Sequence, residues 1–190
     1  MNLPFISDTT FEKKDYTKSS LPKAEYDNCT FINCSFEESY LSGITFTACY
    51  FIDCNLSGVK VKDATFNDVH FSHCKILGVN FYECSDFLFS LEAEHTNISF
   101  SSFQSKNLTK TNFKNCILEK VDFSNANLNQ SQFIQTELQH AIFENSNLEK
   151  VDFSTAINFS INPSINNLKN AKFSKEGAIS LLKDYQIIIA

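Results

Sequence analysis

Tryptophan and arginine are absent from the sequence, methionine occurs once, and only four glycines and three prolines serve 190 residues. A domain of conventional hairpins needs more Gly and Pro for its turns, so that architecture is disfavoured. No stretch approaches the roughly 18 apolar residues of a membrane span. The opening residues put Asp8, Glu12, Lys13, Lys14 and Asp15 where a signal peptide needs an unbroken apolar run, so a cytoplasmic protein is expected. With a net charge of −6 and no arginine among sixteen basic residues, direct binding of nucleic acid through its phosphates is not expected either. Gly43, Gly58 and Gly78 each fall two residues after a large apolar residue, where the chain bends, and form no phosphate-binding loop.

What is present is a ruler. From Ile98 to Phe153 every fifth residue is large and apolar: Ile98, Phe103, Leu108, Phe113, Leu118, Phe123, Leu128, Phe133, Leu138, Phe143, Leu148 and Phe153. The same period runs from Phe11 to Phe81, which brings the count to twenty-seven sites. If positions were independent, the chance of all being apolar is on the order of 10^-10. Two residues before most of these sites lies a smaller one, among them Cys29, Cys34, Cys49, Cys54, Cys74 and Cys116, and Cys84 is read as occupying the same small inward position. Side chains two apart on an extended backbone share a face, so each unit turns one small and one large residue inward and then bends. A helix of period 3.6 cannot hold a five-residue repeat on one side. The result is an all-β solenoid.

The units Val121-Asp122-Phe123-Ser124-Asn125, Ala126-Asn127-Leu128-Asn129-Gln130 and Val151-Asp152-Phe153-Ser154-Thr155 resemble the pentapeptide repeat family, whose pattern is a small residue, Asn or Asp, Leu or Phe, then two variable residues. The resemblance covers nearly the whole chain and implies a right-handed quadrilateral β-helix with four units per coil. Twenty-seven units then make just under seven coils. Residues twenty apart should stack, with Phe103, Phe113, Phe123, Phe133, Phe143 and Phe153 as structural core.

The repeat is expected to fill residues 1–173. Its register slips by two residues near 82–88, read as a bulge that lets the coil absorb them or as a binding loop. Residues 157–167 read as an irregular last coil, with Pro163 ending backbone pairing. Ser174 is the predicted N-cap of a short helix over about 175–184, followed by a strand over 186–190. Residues 174–190 would then cap the open end, which otherwise exposes unpaired backbone. This ending resembles that of the family's quinolone-resistance and microcin-immunity members. It implies a homodimer joined tail to tail, through Ile179, Leu181, Leu182, Tyr185, Ile187, Ile188 and Ile189.

All seven cysteines read as buried core thiols, kept reduced in a cytosolic chain. Lys106, at an inward site, reads as a lysine whose stem lies along the core while its amine reaches solvent, or else as a sign that this side of the coil is distorted. No nucleophile, base or metal pattern stands apart from the repeat. No catalytic residue, cofactor or metal is therefore expected, and the chain is not read as an enzyme.

Charge is the remaining signal. Residues 25–100 hold eleven acids against three lysines, or −8, while 1–24 and 101–190 are each +1. Glu37, Glu38, Asp53, Asp63, Asp68 and Glu83 form the candidate acidic surface, spread over all four sides. The family resemblance implies a non-catalytic protein-binding rod, a DNA mimic that binds or protects DNA gyrase or topoisomerase IV and so confers antibiotic resistance. The alternative is a general structural or protein-interaction scaffold with an unrelated partner.

Overall fold

The computed structural model describes residues 3–183 and 187–188, and in it the chain winds as a four-sided parallel β-solenoid. One side is a four-stranded sheet of Phe5–Ser7, Glu25–Asp27, Thr45–Thr47 and Thr65–Asn67. The next is a nine-stranded sheet running from Thr10–Glu12 to Lys172–Phe173, one strand per level. The third and fourth sides are joined by isolated parallel bridges, such as Ser35 to Asn55 and Asp122 to Ile142. From first strand to last the nine-stranded sheet makes about eight turns, more than the coils counted from Phe11 to Phe153. The reason lies at both ends: Ile6 already packs inward on the first side, and Phe173 stacks on Phe153 at 5.4 Å beyond the irregular coil.

Paired residues are twenty apart, as Phe31 with Phe51 and Phe113 with Phe133. The offset becomes 22 at one place, where Phe71 pairs with Ala93. The two extra residues enter between Phe81 and Leu91.

The scarcity of glycine is resolved at the corners. The second residue after the large inward one takes a left-handed backbone, and most such positions are not glycine: Glu38, Ala48, Asp53, Asp68, Lys110, Asn125 and Gln130 all have positive φ. That conformation costs roughly 1–2 kcal/mol for an ordinary L-residue. Most corner amides offset the cost by donating to the next coil, as Asp53 N–H to the Ser72 carbonyl (3.0 Å) and Asn125 N–H to the Glu144 carbonyl (2.8 Å). Side chains small or polar enough to tolerate the left-handed region, Asn above all, do what glycine does in a hairpin.

Within the core, phenylalanines stack along a side and meet edge-on between sides, the arrangement the ring quadrupole favours. Before the register slip the aromatic sides are adjacent: Tyr26, Phe46 and Phe66 on the first, Phe31, Phe51 and Phe71 on the second. After it they are opposite, with Phe81, Phe103, Phe123 and Phe143 on the fourth side edge-on to Phe113, Phe133 and Phe153 on the second. Phe89, from the inserted segment, lies 6.4 Å from both Phe66 and Phe81 and bridges the two patterns. Ala93 stands where the second side otherwise carries Phe, between Phe71 and Phe113.

After Phe173, Ser174 caps a helix α1, Lys175–Ser180, its Oγ accepting from the Gly177 amide at 3.0 Å. The helix is shorter than the sequence pattern suggests. Asp184, Gln186, Ile189 and Ala190 of the expected helix and strand lie outside the described residues, and Ile187 and Ile188 are in no strand.

Candidate functional site

Four of the eleven acidic residues in 25–100 sit on left-handed corners. Glu38, Asp53, Asp63 and Asp68 each occupy such a corner on a different edge of the rod, and Glu37 precedes Glu38. Only Asp63 and Glu83 are brought together, one coil apart on one edge, where the Asp63 amide donates to the Glu83 carbonyl at 2.9 Å. The candidate carboxylates are thus dispersed around the rod.

The nine-stranded face adds a cluster that charge counting alone did not single out. His70 stacks on Tyr50 at 4.9 Å and sits between Asp68 (3.2 Å) and Glu92 (3.5 Å). His73 stacks on His95 at 4.7 Å, and Glu94 pairs with Lys114 at 2.6 Å. That lysine's hydrogen bond holds the Glu94 carboxyl below the usual range. The offset of 22 brings His73 onto His95, and a signal for it was available only to a reader who carried the slip through the ladder. Among the described residues no three His, Cys, Asp or Glu side chains converge as metal ligands.

Lys106 departs from its sequence reading. Its amine does not reach solvent: the residue is 2% exposed, and Nζ lies 2.5 Å from the Cys84 carbonyl, 2.6 Å from Asp86 Oδ1 and 5.3 Å from the Phe89 ring centroid. Along this side, carbonyls at the matching site accept from a backbone amide of the next coil, as Ala64 does from Ser85 and Lys106 does from Asn127. At Cys84 the Lys106 amine serves as donor. The inserted segment 84–90 is thereby latched to the following coil. Phe89 points into the core, while Phe87 is 72% and Leu88 57% exposed, the latter with a left-handed φ of 54°.

All seven cysteines are free and buried. They are more than compact hydrophobes: each thiol whose contacts recur along the ladder donates to carbonyls two residues back and one coil below, as Cys54 Sγ to Ile52 and Phe31 (both 3.3 Å). Thr136 and Ser146 make the same pair of contacts in the second half. Burial pushes the Cys49 and Cys84 thiols up to about 12 and Cys116 to about 11. Cys54 rises further, first through its hydrogen bond with Cys74 and then through burial. Such thiols stay protonated and unreactive at neutral pH.

At the C-terminal end, Leu181 packs against the core, while Ile179, Leu182, Ile187 and Ile188 are exposed, Ile188 at 96%. Tyr185 and Ile189 lie outside the described residues. Gly177 allows the helix to dock, since a Cβ there would lie 2.7 Å from the Phe159 ring. The core phenylalanines Phe103, Phe113, Phe123, Phe133, Phe143 and Phe153 are all buried.

Residues 24–86 and 86–153 match the family profile described as a pentapeptide repeat region. No curated protein sequence matches the chain. Among solved structures, a trypsin-treated variant of QnrB1, a plasmid-mediated fluoroquinolone resistance protein, aligns at a TM-score of 0.77 and 18% identity, covering 98% of this chain and 91% of that one. HetL, a pentapeptide repeat protein involved in heterocyst differentiation regulation from the cyanobacterium Nostoc sp. strain PCC 7120, aligns at a TM-score of 0.50 and 12% identity, over 92% and 88% of the two chains. At these identities the likeness is one of fold. No helix among the described residues is long and apolar enough to cross a membrane.

Proposed function

The chain belongs to the pentapeptide repeat family, and from that premise we propose that it is a non-catalytic protein-binding rod that binds or protects DNA gyrase or topoisomerase IV as a mimic of duplex DNA. The observation that carries this reading is the charge of the coils before the slip. Residues 25–100 carry −8, over a length of roughly 18 Å in which duplex DNA carries about eleven negative charges. The likeness of the fold to QnrB1 agrees with it. Protonated, buried thiols and a repeat that occupies the chain favour binding over catalysis, in a cytoplasmic setting where thiols stay reduced.

A second reading, a general interaction scaffold with an unrelated partner, is favoured by the dispersal of Glu38, Asp53, Asp63 and Asp68 over separate edges. Purified gyrase discriminates the two. Supercoiling activity, with and without a fluoroquinolone, should change on adding the protein, and no effect at excess protein sinks the gyrase reading.

We further propose a homodimer through the C-terminal end, supported by the exposed Ile179, Leu182, Ile187 and Ile188. Light scattering at micromolar concentration should give twice the 21.6 kDa chain mass, and a monomeric mass refutes the dimer.

A further inference from the structure

We infer that the latched segment 84–90 is a preorganised docking element, which presents Phe87 and Leu88 to a partner protein whose surface has an apolar slot flanked by lysine or arginine. This rests on the protein-binding reading above but not on gyrase being the partner.

The first ground is that the segment is held far more firmly than a slack insertion needs. The Ser85 amide donates to the Ala64 carbonyl (2.8 Å), Ser85 Oγ accepts from the Phe87 amide (3.2 Å), and Ser90 Oγ accepts from the Asp68 amide (2.8 Å) while donating to the Leu88 carbonyl (3.2 Å). Lys106 adds its two polar contacts from within, and Phe89 anchors the segment in the core. Ordering a loop before binding removes part of the entropy lost on association.

The second ground is what the held segment displays. Phe87 is the most exposed phenylalanine among the described residues, and Leu88 spends a left-handed backbone on a side chain that buries little. Among the described residues the other large apolar side chain on a left-handed corner is Phe100, and there Lys120 Nζ lies over the ring at 5.3 Å, whereas no such cover is seen at Leu88. A glycine or asparagine would serve the fold at Leu88 at lower cost, so the side chain is accounted for by contact with something outside the chain.

The third ground fixes the partner's chemistry. The corner that precedes the segment stacks Asp63 on Glu83, and the corner that follows carries Asp68 against Ser90. Asp86 is occupied by Lys106. Lys62, beside Asp63, lies within residues 25–100, whose total is −8, and Lys110 follows beyond that stretch. An apolar tip in an acidic setting fits an apolar slot with a basic rim, which gains both buried area and steering.

The test pans a phage-displayed library of cyclic peptides against the whole protein, with the double variant Phe87→Ser, Leu88→Ser as counter-target. The variant changes exposed side chains, and its circular dichroism should match the parent. Selected peptides should combine a bulky apolar residue with lysine or arginine, bind the double variant at least ten-fold more weakly, and weaken as salt rises from 50 to 300 mM. Lys106→Met, which frees the segment, should also weaken them. Selected peptides that bind the double variant equally well, that lack basic residues or ignore salt, or the absence of any selected peptide would overturn the inference. Gyrase plays no part in this measurement, so the two readings can fail separately.

Discussion

The coils before Phe81 and those after Phe103 keep the same five-residue period on either side of the slip yet fill its positions differently. In the earlier coils the small inward site is often cysteine, aromatic stacks lie on adjacent sides, and the corners carry Glu38, Asp53, Asp63 and Asp68. In the later coils that site holds Ser, Thr, Ala or Val more often, and the aromatic stacks are opposite. There, Asn107, Asn127, Asn147 and Asn167 form a side-chain ladder with bonds of 3.2, 2.9 and 2.9 Å. The ladder ties exposed side chains to their own neighbours, whereas the acidic corners are exposed, with Asp68 alone of the four held by a side-chain ion-pair contact, to His70. What the difference teaches is a division of labour: the fold tolerates either chemistry so long as one small and one large group point inward, which leaves the outer positions of the first half open to recognition.

The sharpest way to break this comparison is to remove one ring from each half. Phe51→Ala and Phe123→Ala both delete a fully buried ring with stacked neighbours on both sides, and each should cost about 3–5 kcal/mol in denaturant unfolding. Costs that differ severalfold would mean that the halves are not equivalent scaffolds. At the junction, Lys106→Ala strands the buried Cys84 carbonyl and should cost about 1–3 kcal/mol, while Lys110→Ala on a corner should stay within about 0.5 kcal/mol.

Alkaline pH separates the halves next. Cys49, Cys84, Tyr16 and Tyr26 are raised by burial to about 12 in the folded chain, from ordinary values of 9.0 for Cys and 10.0 for Tyr. The folded state keeps protons that the unfolded state releases, so this contribution is fully present below pH 9 and is lost as pH rises toward 12. Six of the seven cysteines precede the later coils. The Tm should therefore fall from pH 9 to 11, and Cys49→Ser with Cys84→Ser, which retain hydroxyl donors, should flatten the fall. An unchanged slope contradicts the assignment. The smallest effect is expected at the corners, where Ala48→Gly should stabilise by roughly 0.5–1 kcal/mol and Asn125→Gly should be near neutral, because Asn already tolerates a left-handed backbone.

How far these features were legible follows from what a repeat encodes. The ruler specifies which residues point inward, so the core positions could be read directly, as could Ser174 as the cap, whereas the four sides and the stacking of residues twenty apart followed only from the resemblance to the pentapeptide repeat family. Lys106 could not: its position dictates an inward side chain, but its partners come from a segment that has left the repeat. Ile179 and Leu182 share apolar character with Leu181, and only the docking of Gly177 on Phe159 decides which of them faces the core. The hydrogen bonds of the thiols were hidden for another reason, since the five-residue spacing sets size at that site and is silent about a weak S–H donor. The acidic surface lies furthest from the sequence signal, because nothing in the repeat constrains outward side chains.

The division of labour is tested most directly by two matched charge variants in gyrase supercoiling and fluoroquinolone protection. One replaces Glu38, Asp53, Asp63, Asp68 and Glu83 with their amides, taking residues 25–100 from −8 to −3. The other does the same to Glu119, Glu137, Glu144, Glu149 and Glu176 in the later part of the chain. The first should lose at least ten-fold in potency while the second keeps the parent's activity. Equal loss in both, or no effect of the parent protein itself, would contradict the account.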